Sequence, residues 1–93
     1  MELTHDSKAH RFFCIVEGME CYVEYMVSED GTWDFFHTFV PLKLRGQGIA
    51  RQIYDEIVKY LDADNIKVLA SCSYAEKFFN EEKNSKYYAE QHN

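Results

Sequence analysis

Cationic side chains are scarce in this sequence: ten lysines and arginines stand against sixteen aspartates and glutamates, giving a formal net charge of -6 and a pI of about 5.1. A surface of that sign is unsuited to nucleic-acid phosphates or an anionic bilayer, so neither is expected as a partner, whereas a cationic or amine-bearing one suits it. No apolar run approaches the roughly 20 residues that a bilayer span requires, and Met1–His10 is too polar for a signal peptide. The expected compartment is therefore the cytoplasm. Cysteine is equally sparse. Cys14, Cys21 and Cys72 make an odd number with no CxxC pair, and no HxxxH pair accompanies them. A disulfide framework and a zinc site are both disfavoured, and Cys14 and Cys21 read as small buried strand residues. With one proline and four glycines against a hydrophobic fraction of 46% and an aromatic fraction of 16%, the composition rules out a disordered chain. Its 93 residues allow one small domain spanning 1–93, with 1–9 and 84–93 expected to fray.

What the sequence does contain is concentrated between Trp33 and Leu61. Trp33, Phe35, His37 and Phe39 alternate with Asp34, Phe36, Thr38 and Val40. Because both sets are largely apolar, the pattern predicts a central strand covered on both faces. Beyond Pro41, two glycines, Gly46 and Gly48, free the backbone just before Ile49, Ile53, Ile57 and Leu61 begin a helical repeat. Arg51, Gln52, Asp55, Glu56 and Lys59 fall on the opposite face of that helix, which is expected over about 46–62. A strand, a tight loop and a helix N-terminus in succession make an anion cradle. The first N–H groups of a helix have no partner within it, and the macrodipole places partial positive charge there.

Around this unit, Arg11–Val16 and Glu20–Val27 read as a hairpin turning at Glu17-Gly18-Met19, and Ser28–Gly31 leads back into the Trp33 strand. Ile66–Ala70 is too short for a helix and, following a crossover helix, should lie parallel to the Trp33 strand with a right-handed connection. Ser73 is a candidate cap for a short helix over 74–82 with Ala75, Phe78 and Phe79 inward. The expected fold class is α/β (α+β), with a mixed sheet of three antiparallel strands and one parallel strand in the order β-β-β-α-β-α.

The glycine turn has look-alikes that its residues exclude. A P-loop needs Gly-Lys-Ser/Thr. A dinucleotide fingerprint would need glycine where Arg51 stands and an acidic residue after the next strand, where Ala70-Ser71 stands. Arg45-Gly46-Gln47-Gly48-Ile49-Ala50 instead matches the Gln/Arg-x-x-Gly-x-Gly/Ala signature of the GCN5-related N-acetyltransferases. With His37-Thr38-Phe39-Val40-Pro41 and Ser71-Cys72-Ser73-Tyr74, the region from about Arg11 to Phe79 resembles the very small single-domain members of that superfamily. It is expected to lack the N-terminal strand and helices that usually shape the acceptor side in larger members.

The resemblance implies acetyl-CoA as acyl donor. Backbone N–H groups of Arg45, Gly46, Gln47, Gly48, Ile49 and Ala50 would hold its diphosphate, with Arg45 either a phosphate-side charge or an ordinary loop cation. The pantetheine arm would run along the backbone of Phe39 and Val40, where the Trp33 and Ile66 strands part, and a backbone N–H there would stabilise the oxyanion.

Acetylating an amine requires its neutral form, while a lysine-like amine has a pKa of about 10.4. His37 is the candidate base because an imidazole can change charge near neutral pH and its strand leads to the thioester site that the resemblance implies, with a hydrogen-bonding role within the sheet as the alternative. Glu24 on the neighbouring strand is a second candidate, or a solvated carboxylate. Cys72, at the end of the parallel strand, is a candidate nucleophile if His37 or the next helix activates it; otherwise it packs near the cofactor sulfur or in the core. The resemblance makes Tyr74 a candidate proton donor to the departing thiolate, with packing as its other role. His5, His10 and His92 read as surface residues. The reading is an acetyl-CoA-dependent N-acetyltransferase acting on a metabolite, a polyamine or a protein lysine, as a monomer or weak homodimer. A non-catalytic acyl-CoA-binding module and a cofactor-free interaction domain are its rivals.

Overall fold

A computed structural model describes residues 1–90 of the chain. Its elements are β1 (Thr4–Asp6), β2 (Arg11–Val16), β3 (Met19–Val27), β4 (Trp33–Phe39), α1 (Ile49–Asp64), β5 (Val68–Ala70) and α2 (Ser73–Phe79). Short 3-10 helices lie at Leu42–Leu44 and Glu82–Tyr87. The five strands form one sheet in chain order, antiparallel from β1 to β4 and parallel between β4 and β5. The expected mixed sheet is present with one more strand than the pattern gave. Thr4–Asp6, within the segment expected to fray, pairs with Arg11–Phe13.

The hairpin between β2 and β3 closes through Glu17 and Gly18, both at positive φ (50° and 77°), the left-handed pair that a two-residue turn demands. Phe12 and Cys14 on β2, and Cys21, Val23 and Tyr25 on β3, point into the core, as their alternation requires. Helix α1 lays Ile49, Ile53, Tyr54, Ile57 and Leu61 on this face. It ends where Asn65 takes the left-handed conformation and Ile66 N–H bonds the Leu61 carbonyl. Helix α2 adds Ala75, Phe78 and Phe79, and Phe35 sits against both helices, its ring centroid 5.9 Å from Tyr54 and 5.7 Å from Phe79.

Both helices therefore cover the same side of the sheet. The expectation that β4 is covered on both faces fails: Phe36 is 42% and Phe39 37% exposed, on a side that carries no helix. Two further expectations are corrected. Ser73 is the first residue of α2, whose cap position is Cys72, and no side chain caps it. His5, expected at the surface, stacks on Phe12 with centroids 4.1 Å apart and bonds the Tyr25 hydroxyl at 2.6 Å. The Glu82–Tyr87 segment is likewise anchored: Asn84 and Tyr87 are buried, with Tyr87 OH donating to Asp62 at 2.7 Å. His92 lies outside the described residues.

Candidate active site

Two features of β4 shape the site. The register of β3 against β4 slips between Glu24, opposite His37, and Tyr25, opposite Phe35, so Phe36 is an extra residue. The bulge resets the alternation. Phe35 points to the helices, Phe36 and His37 are both exposed on the way out, and Thr38, opposite Val23, points to the helices again. The second feature is the end of the β4–β5 ladder. Pairing runs from Trp33–Val68 to Phe35–Ala70 and stops. The N–H groups of Ser71 and Cys72 both turn onto the Phe35 carbonyl at 3.0 Å, while the Asp34 carboxylate takes the Ser71 N–H at 3.1 Å and its hydroxyl at 2.8 Å. The chain then leaves into α2, and β4 beyond Phe35 has no neighbour on that edge. This is the parting of strands that the resemblance implied.

The glycine turn lies at the same end. Buried Leu44 anchors it, and Gly46 and Gly48 hold φ at 80° and 76°. The first bond within α1 is from Gln52 N–H to the Gly48 carbonyl. Among the described residues, the backbone N–H groups from Gly46 to Arg51 therefore have no acceptor, and no side chain caps the helix. All residues of this stretch but Gln47 border an open cavity of about 380 Å³ lined by Thr38, Val40, Leu44, Arg45, Gly46, Gly48, Ile49, Ala50, Arg51 and Tyr74.

Of the residues expected to hold the donor, Val40, Arg45, Gly46, Gly48, Ile49 and Ala50 line this cavity. Gln47 is outside it, reaching back to the Lys43 carbonyl at 3.4 Å, and the Phe39 ring stacks on Tyr22 on the far side of the sheet. Arg45 Nε donates to the Val40 carbonyl at 2.9 Å, drawing the loop toward the end of β4. Arg51, not foreseen, is a second cation here. It is paired with Glu81 and Asp55, and the Glu81 hydrogen bond raises its pKa further.

The candidate catalytic residues are divided between the two faces. Tyr74 lines the cavity, and burial raises its pKa against the opposing charge of Arg51, so it stays protonated at neutral pH. Cys72 is partly buried on the helix side, its sulfur 3.3 Å from Thr38 Oγ1. His37 lies on the open side, its Nδ1 2.9 Å from Glu24 Oε1 and its ring edge-on to Tyr22. His37 and Cys72 therefore do not meet, and the expectation that His37 could activate the thiol is corrected. Strict alternation had put His37 on the face of Phe35, but the bulge gives that place to Thr38. Thr38 itself was missed, as was Tyr54, whose hydroxyl lies 2.7 Å from Thr38 Oγ1. A hydroxyl at a core-facing strand position, followed by a tyrosine within an apolar helix stripe, was the available signal.

A family model of the GCN5-related N-acetyltransferases matches residues 11–90. The chain belongs to that family. Its fold is also that of a GCN5-like protein from Staphylococcus aureus whose solution structure was determined by NMR. The two superpose with a TM-score of 0.74 at 21% identity, over 98% of this chain and 90% of the other. Membership places the chain among acyltransferases, as the sequence resemblance implied. Among the described residues, no helix is long and apolar enough to cross a membrane.

Proposed function

We propose that this N-acetyltransferase-family protein takes acetyl-CoA as its donor and transfers the acetyl group to a primary amine. The observation that carries the reading is the fan of unpartnered N–H groups from Gly46 to Arg51, opening onto a cavity beside the unpaired end of β4. Five of these donors, on Gly46, Gly48, Ile49, Ala50 and Arg51, belong to residues that line the cavity, and with Arg45 and Arg51 beside them they fit a diphosphate in number and charge. The glycines leave the backbone bare there. The pantetheine arm then has a path along Val40 into the gap between β4 and the start of α2, where the thioester would come near Cys72 and Tyr74.

In this reading the acceptor comes to the gap from the open side. His37 is available there as a general base, and Glu24 steadies the imidazolium that forms when it takes a proton. The acidic balance of the chain favours a cationic acceptor, whether a metabolite, a polyamine or a protein lysine. Tyr74, protonated and at the cavity, is the candidate to return a proton to the departing thiolate.

Calorimetric titration with CoA tests the donor site: saturable binding is expected, and no heat at millimolar ligand refutes it. Release of free thiol from acetyl-CoA over a panel of amines tests transfer. Tight CoA binding with no release above background would make the chain an acyl-CoA-binding module instead.

A further inference from the structure

Tyr54 is fully buried on α1, and among the described residues its hydroxyl has one hydrogen-bond partner, Thr38 Oγ1 at 2.7 Å. The same Thr38 oxygen lies 3.3 Å from the sulfur of Cys72. Phenol, hydroxyl and sulfur thus form a continuous line from the core to the end of β5, with one hydrogen on each neutral group and two links to fill.

Two polarities satisfy those links. If the thiol donates to Thr38 and Thr38 to Tyr54, the phenol proton is left without an acceptor in the core, and a weak S–H bond is gained in exchange. If Tyr54 donates to Thr38 and Thr38 to the sulfur, every deeply buried proton is used, and only the partly exposed sulfur is left to find its own partner. An unsatisfied buried donor is the more costly defect, so the second polarity prevails. Burial also raises the Tyr54 pKa, keeping the phenol a permanent donor.

We propose that Thr38 and Tyr54 are positioning residues for Cys72, a hydroxyl chain that aims a hydrogen bond at its sulfur and sets its reactivity. The inference rests on the reading of Cys72 as the group that faces the thioester. It replaces the histidine expected from sequence with an uncharged device that stays on the helix side of the sheet. Thr38 is suited to the task because it also lines the cavity, so the hydrogen bond is delivered at its wall. A hydrogen bond to sulfur is stronger where negative charge develops on it than on the neutral thiol, so its loss should slow reaction with electrophiles.

The test needs no acyl donor. The native protein is treated at pH 7 with iodoacetamide, where the sulfur displaces iodide and the thiol proton passes to solvent, and Cys72 alkylation is followed by mass spectrometry. Buried Cys14 and Cys21 serve as slow internal references. Thr38→Val, which keeps the shape and removes the hydroxyl, is expected to slow Cys72 alkylation about fourfold, the part of one charge-assisted hydrogen bond that survives the offsetting gain in nucleophilicity. Tyr54→Phe is expected to slow it roughly threefold, and Thr38→Ser to stay within about twofold of the wild type. A wild-type rate in Thr38→Val, or an equal slowing in Thr38→Ser, overturns the proposal, the latter because packing alone would then be responsible. Should Thr38→Val fail to fold, Tyr54→Phe decides, and an unchanged rate overturns the proposal. Failure here with normal CoA binding would leave the donor-site reading intact, and failure of CoA binding would not alter these rates.

Discussion

If Gly48 is glycine for the sake of the donor, its replacement should cost more in binding than in folding, and Gly18 provides the matched control. The two share nearly the same φ, 76° and 77°, and at neither would an added Cβ meet any atom within 4 Å. Alanine at either position therefore carries only the left-handed strain, about 1–2 kcal/mol. For a domain of this size that lowers Tm by roughly 4–8 °C per kcal/mol, and the two variants should melt together. Their surroundings differ. Gly18 lies in the β2–β3 hairpin turn, whereas Gly48 lines the cavity between the unpartnered N–H groups of Gly46 and Arg51. If the turn holds the diphosphate, a methyl group there would stand where one of its oxygens has to approach within about 3 Å of backbone nitrogen. Calorimetry with CoA should show at least a tenfold loss for Gly48→Ala, which is about 1.4 kcal/mol, and wild-type affinity for Gly18→Ala. Equal CoA affinity in the two variants would refute the assignment of the turn as the diphosphate site.

Further expectations bear on neighbouring parts of the molecule. Mixing with acetyl-CoA alone should add one acetyl group to Cys72 if it acts as nucleophile, and Cys72→Ser should abolish the adduct; an unchanged intact mass counts against the covalent route. Asp34→Ala removes the clasp on Ser71 and should destabilise the fold by about 1 kcal/mol, seen as a lower urea midpoint with an unchanged slope. Hydrogen bonds from the Ser28 hydroxyl and the Thr32 N–H lower the Asp30 pKa to about 2 from its ordinary 3.8. Its contribution is therefore fully present above about pH 3.8 and is lost as pH falls toward 2, so the stability gap between wild type and Asp30→Ala should close over that window. Burial against the aromatic rings of Phe12 and Tyr25 lowers the His5 pKa below 6.5 despite the charge of Asp6. The neutral ring is favoured in the fold. Stability should drop as pH falls below about 6.5, and a His5→Phe variant melted alongside should lose that step.

Much of this architecture was readable because local pattern and tertiary context agree in it. Alternation places β2 and β3, the period of Ile49, Ile53, Ile57 and Leu61 places α1, and the crossover rule places β5 beside β4. β1 escaped because Thr4-His5-Asp6 carries no apolar alternation. It is held by its ladder to Arg11–Phe13 and by the stacking of His5 on Phe12, neither of which three polar residues announce. The open face of β4 escaped for the opposite reason. Phe36 and Phe39 are apolar, and apolarity was read as burial, yet a single helical layer leaves the other side of a sheet bare whatever residues it carries.

The deeper misreading concerns His37, and it has one cause. Period-two counting assumes an unbroken ladder, so one inserted residue inverts the face of every position after it. Phe36 is that residue, and nothing in Trp33–Val40 marks it, since a bulge is a property of the pair of strands and here appears only when Glu24 and Tyr25 are set against β4. Its consequence is chemical. Without the bulge, His37 and Cys72 would share a face and suggest a thiol–imidazole pair; with it, the imidazole joins Glu24 on the open side, and the sulfur meets the hydroxyls of Thr38 and Tyr54. The glycine turn needed no such correction, because it is local: the signature Arg45–Ala50, the positive φ of its glycines and the unpartnered N–H groups that follow lie within one short stretch of chain. Features fixed by neighbours in sequence survive a one-residue slip elsewhere, and features fixed by register do not.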